Sequence, residues 1–175
     1  MPASHRLLST RPPWVHMLPL KPGQTAETVL DPPASLTVRT LDGRVCHTKE
    51  GLLRELARLL SFPDYFDPNW DALEECLQDL EWLPFHGLLL VIEHTDQVLA
   101  EEPNERRTWL SILRATGRHW AAQRPRRSFR TILSVQGGAH TLHASGSPAD
   151  TGRGGLPGNS PERHQRPTVV LPRWL

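Results

Sequence analysis

Seven carboxylates, and not one Lys or Arg, lie between Ser61 and His86: Asp64, Asp67, Asp71, Glu74, Glu75, Asp79 and Glu81. The chain of 175 residues has a net charge of +1, so everything outside this segment is basic, at +8. Like charges three or four residues apart on a helix repel by about 0.2–0.5 kcal/mol per pair, and no neighbouring cation relieves them here. A solvated acidic face is the ordinary reading of such a run. An uncompensated cluster on a basic chain points instead to a cationic partner, attracted in a salt-dependent way. Carboxylates at helical spacing can also occupy sites built for phosphates, through charge-assisted bonds to Arg and Lys.

Other chemistry is weaker. Cys46 and Cys76 are too few for a disulfide framework and read as core thiols rather than as a redox pair or nucleophile. His140 and His143 stand three apart without Cys or acidic companions, so no metal site is expected. Glu93 and His94 have neither a nucleophile nor a Gly-rich loop beside them, so neither enzyme nor cofactor is expected. The basic run Arg124 to Arg130 reads as a solvated loop ahead of a nucleic-acid contact. No stretch approaches the roughly 20 apolar residues needed to span a bilayer. Met1 to Leu20 is broken by Arg11, Pro12, Pro13, His16 and Pro19 and lacks the apolar core of a signal peptide. Neither a membrane nor a nucleic acid is expected as partner, and a cytoplasmic location is expected.

The elements that must position the acids can be read from period and punctuation. Residues 1–35 are Pro-rich and aperiodic and are expected to form a disordered leader. Leu36, Val38 and Leu41 alternate with polar residues, as in a strand closed at Asp42-Gly43. Thr48 offers an N-cap to a helix carrying Leu52, Leu53, Leu56, Leu59 and Leu60, which Ser61-Phe62-Pro63 stops. Trp70 to Leu80 is the second helix, capped by Asp67 or by Asn69. At 100° per residue Leu73, Cys76, Leu77 and Leu80 gather on one side, with Asp71, Glu74, Glu75 and Gln78 opposite. Gly87 to Glu93 is a continuous apolar run, as in a strand buried on both faces. A helix from Pro103 to about Ala122 and a strand through Phe129, Ile132, Leu133 and Val135 follow. The expected fold is α/β, with a small three-stranded parallel sheet covered by helices over residues 36–135. Residues 136–175, rich in Gly, Pro and Ser, are expected to form a disordered tail.

The segment Phe62-Pro63-Asp64-Tyr65-Phe66-Asp67-Pro68-Asn69-Trp70-Asp71-Ala72-Leu73-Glu74-Glu75-Cys76-Leu77 closely resembles the loop and second helix of the barstar family. The likeness extends upstream to Asp42-Gly43 and downstream to Leu90-Val91-Ile92-Glu93 and Thr131-Ile132-Leu133-Ser134. It implies an intracellular, non-enzymatic inhibitor of a barnase-like ribonuclease, monomeric when free. The alternative is an immunity or adaptor protein of the same fold for a different partner. Carried over by position, the partner-binding residues are Tyr65, Asp67, Asn69, Asp71, Glu74 and Glu75, meeting a basic ribonuclease or related toxin. The sequence departs from the family at Glu74 and Leu80, where the family has aromatic residues. It departs again near the end of the last helix, where Arg124, Arg126 and Arg127 replace an acid.

Overall fold

A computed structural model describes residues 9–136. The elements run β1 (Val15–Leu20), α1 (Ala26–Leu30), β2 (Thr37–Asp42), α2 (Lys49–Leu60), α3 (Trp70–Asp79), β3 (Gly87–Glu93), α4 (Arg106–Ala122) and β4 (Ser128–Gln136). Short 3-10 turns at Gly43–Val45 and Pro103–Glu105 lead into α2 and α4. All three strand pairings are parallel, in the order β1-β4-β3-β2. The sheet therefore has four strands where the sequence predicts three.

The fourth strand comes from the segment expected to be a disordered leader. β1 pairs with β4 from Val15 opposite Thr131 to Leu20 opposite Gln136. Pro19 concealed it, because a proline cannot donate to a central ladder; at the sheet edge that missing N–H costs nothing. The expectation of a disordered tail beyond residue 136 falls outside the described residues.

The two faces of the sheet explain why this segment is needed. β3 is buried from Gly87 to Ile92, and its side chains alternate between two clusters. Leu88, Leu90 and Ile92 join the main core beneath Leu52, Leu53, Leu56, Leu73, Leu77, Trp109 and Leu113 of α2, α3 and α4. Leu89 and Val91 point the other way, to Ile132, and are covered by Leu18, Leu20, Ala26 and Leu36. Without residues 18–36 that second face would stand in water, at about 1.5–3 kcal/mol for each large apolar side chain uncovered.

Two further devices hold the N-terminal segment. Gly117 lies inside α4, where glycine costs about 0.5–1 kcal/mol relative to alanine. A Cβ there would stand 2.3 Å from Cβ of Trp14, so only glycine lets Trp14 seat on the helix. Arg130 of β4 is 3% exposed. Its guanidinium donates to the carbonyls of Ser9 (2.5 and 2.9 Å), Arg11 (2.8 Å) and Pro13 (2.7 Å) and to Nε2 of His16 (2.7 Å). The sequence groups Arg130 with the solvated arginines of the preceding loop; the structure separates it from them.

Candidate functional site: the acidic face of α3

α3 forms because an N-cap, an apolar stripe and a terminating turn agree. Asn69, not Asp67, is the cap: its side-chain oxygen accepts from the Ala72 amide at 2.8 Å. Its amide nitrogen lies 3.4 Å from Oδ2 of Asp67. Leu73, Cys76 and Leu77 are buried, as the helical period predicts. The helix ends at Leu80, in the left-handed region at φ 44°. That conformation costs a non-glycine residue about 1–2 kcal/mol. Complete burial of the Leu80 side chain offsets it, at about 1.5–3 kcal/mol.

Neighbouring elements fix the pose of the helix. The Trp70 indole donates to Glu105 at 2.6 Å, and the Lys49 ammonium sits 5.1 Å from the centre of its ring. Trp120 of α4 donates to the Leu77 carbonyl at 2.9 Å. Trp82, beyond the helix, donates to the Leu60 carbonyl at 2.9 Å and packs edge-on against Phe62. These anchors are not legible in the sequence, because the hydrogen-bond partner of a tryptophan is set by tertiary contacts that spacing does not reveal.

The outer face is left open. Asp71 and Glu75 are exposed and make no hydrogen bond or ion pair to any described residue. Glu74 is half-buried and accepts from Gln78 at 3.0 Å, one turn along the same helix. Tyr65 is 72% exposed in the loop before α3. Its phenol is held above its ordinary pKa, first by partial loss of solvent and then by the negative charges of Cys76, Asp79, Glu81 and Glu75. The field of the acidic cluster thus reaches Tyr65. Asp67 is exposed on the same loop. None of the seven acids of this segment is in an ion pair among the described residues.

Elsewhere the candidate chemistry dissolves into structure. The buried Cys46 thiol is pushed up to about 12, chiefly by loss of solvent, which makes it inert at neutral pH. The Cys76 thiol is raised for the same leading reason. His94 Nδ1 lies 3.2 Å from Asp42 Oδ1 without hydrogen-bond alignment. Asp42 itself is held down to about 2, first by its hydrogen bonds from the Arg44 guanidinium. Glu93 and His94 therefore end a strand beside a surface ion pair. Among the described residues no group of three or more His, Cys, Asp or Glu could hold a metal, and no helix is long and apolar enough to cross a membrane.

Fold and site together define a small parallel α/β protein in which α3, anchored on its inner side, presents an exposed acidic face. Residues 36–134, more than half of the chain, match the family described as Barstar (barnase inhibitor), and the chain belongs to the barstar family. No curated protein sequence matches it. The matched span begins at Leu36, so β1, α1 and the Arg130-bound segment precede it.

Proposed function

We propose that this chain is a non-catalytic inhibitor of a barnase-like ribonuclease inside the cell, acting as a monomer and covering a cationic active site with the outer face of α3. The observation that carries the reading is the pair Asp71 and Glu75, exposed and paired with no described residue, on a helix whose other side is fixed by the core. The backbone that carries them is fixed, so binding orders only the two side chains, which present charge where RNA phosphate would otherwise sit. Tyr65 offers a rigid ring beside them, and Asp67 and Glu74 extend the negative field. Asn69 acts first as the cap that sets the direction of the helix, and its amide nitrogen, beside Asp67, lies next to the proposed contact face.

A second reading keeps the fold and changes the partner, to that of an immunity or adaptor protein. It is favoured by Arg124 and Arg126, exposed cations standing near the edge of the face where the family resemblance leads one to expect an acid.

Inhibition of a barnase-type ribonuclease by the full chain tests the first reading. The full chain is needed because residues 9–35 complete the sheet. Inhibition should be tight and should weaken as salt rises. An Asp71→Ala, Glu75→Ala variant should lose about a hundredfold or more, a magnitude taken from charged hot spots of this family's own complexes. A folded wild-type chain that leaves the ribonuclease fully active would sink the inhibitor reading.

A further inference from the structure

At the C-terminal ends of α3 and α4 an open cleft of about 640 Å³ continues the acidic face. Asp79 and Glu81 line it, and so do Arg124 and Arg127. Opposite charges lining one cleft ordinarily find each other. Here no ion pair joins them among the described residues, and Arg124 makes no hydrogen bond to any of these. Arg127 is held otherwise: its guanidinium lies 5.5 and 5.4 Å from the ring centres of Phe85 and Trp120. Trp120 is the residue whose indole anchors Leu77 of α3, so the stacked arginine and the acidic helix share one support.

The mixed lining limits what can bind. A phosphate chain drawn to the arginines would meet Asp79 and Glu81 in the same cleft and Glu75 beyond them. A protein surface that alternates positive and negative side chains meets no such penalty, and charge matched at both signs is what separates one protein partner from its relatives.

We propose that this cleft is a second arm of the same docking surface, in which Arg124 and Arg127 take a carboxylate side chain at the rim of the bound ribonuclease's basic site. The proposal rests on the inhibitor reading and makes the arginines selectors of which ribonuclease is held. The two ways an arginine there could behave differ in sign. If Arg124 only adds positive charge near a cationic partner, Arg124→Glu speeds association and tightens binding. If it contacts a carboxylate, the same change raises the dissociation rate, even though the chain has become more acidic.

The experiment is surface-based kinetics of the full chain, as wild type, Arg124→Glu and Arg127→Gln, against a barnase-type ribonuclease. Arg124 is exposed and pairs with no described residue, so its substitution leaves the fold intact, which circular dichroism verifies. The expected result is a dissociation rate about tenfold higher for Arg124→Glu, with Arg127→Gln in the same direction. Tighter or unchanged binding by Arg124→Glu overturns the cleft contact and leaves the inhibitor reading standing. Saturable binding of a single-stranded RNA oligonucleotide by the wild type, lost in Arg124→Glu, also overturns it by making the cleft a nucleic-acid site. Absence of any ribonuclease binding by the folded wild type removes the inhibitor reading and the cleft contact together.

Discussion

Arg130 and the carboxylates of α3 are treated in opposite ways by the same fold. Arg130 is 3% exposed, makes five hydrogen bonds and faces no carboxylate within ion-pair distance among the described residues. Asp71 and Glu75 are exposed and make none to any described residue. A buried charge is tolerated only when its donors are saturated, and Arg130 reaches that condition by gathering backbone carbonyls from residues 9–13. Its charge ties the N-terminal segment to the sheet. The acids of α3 contribute nothing comparable to the fold, and that leaves them free to act on something else.

The largest effect that would sharpen this contrast is expected at Arg130. Arg130→Ala leaves the carbonyls of Ser9, Arg11 and Pro13 without their donor and opens the anchor of β1. Urea unfolding of the full chain should show a loss of about 3–5 kcal/mol. Arg130→Lys should fall between, because an ammonium cannot spread donors over three carbonyls and a histidine as a planar guanidinium does. A loss below about 1 kcal/mol for the alanine variant would mean that the segment is held by its apolar contacts alone.

The same contrast explains what could be read from the sequence. Elements with strong period and punctuation were readable: Thr48 as a cap, Leu73, Cys76 and Leu77 as the inward stripe, and Gly87 to Glu93 as a strand buried on both faces, while the cap of α3 was narrowed only to Asp67 or Asn69. Of the site, the acids' common face could be derived, because it depends only on helical spacing. The N-terminal strand could not, since Pro12, Pro13 and Pro19 break its pattern and its pairing with β4 is set by residues more than a hundred positions away. Two signals did point to it. A strand apolar on both faces needs a cover on each, and the three helices supply only one. Gly117, in the middle of an otherwise regular helix, marks a close approach by another part of the chain. Arg124 and Arg127 were visible as charges, but their place in one cleft with Asp79 and Glu81 required the turn between α4 and β4.

His16 gives a smaller effect on the buried side of the comparison. Its Nε2 accepts from Arg130, so the ring must be neutral. Its pKa is lowered, first by burial and then by the Arg130 charge, with a hydrogen bond to Pro13 acting the other way. A base whose folded pKa lies below its unfolded value of about 6.5 gives stability that is complete above that value. The contribution is lost as the pH falls from there toward the folded pKa. Stability measured at pH 7.5 and 5.5 should therefore drop more in the wild type than in His16→Gln. Asp42, held down to about 2, does not titrate in this window. Equal drops in the two proteins would place the pH sensitivity on other histidines.

The smallest expected change, in stability, comes from the variant with the large expected effect on inhibition. Removing Asp71 gives up a favourable charge in the first turn of α3, about 0.3–1 kcal/mol. Asp71→Ala, Glu75→Ala also relieves repulsion between the two, about 0.2–0.5 kcal/mol, and inserts alanine, the best helix former. These contributions oppose one another, and no buried partner is left unsatisfied, so urea unfolding should shift by no more than about 0.5 kcal/mol. A charged pair that can be removed without cost to the fold is not held there by the fold. Should the double variant instead lose more than about 1 kcal/mol, the acids would be structural after all. Lost inhibition could then no longer be assigned to contact with a partner.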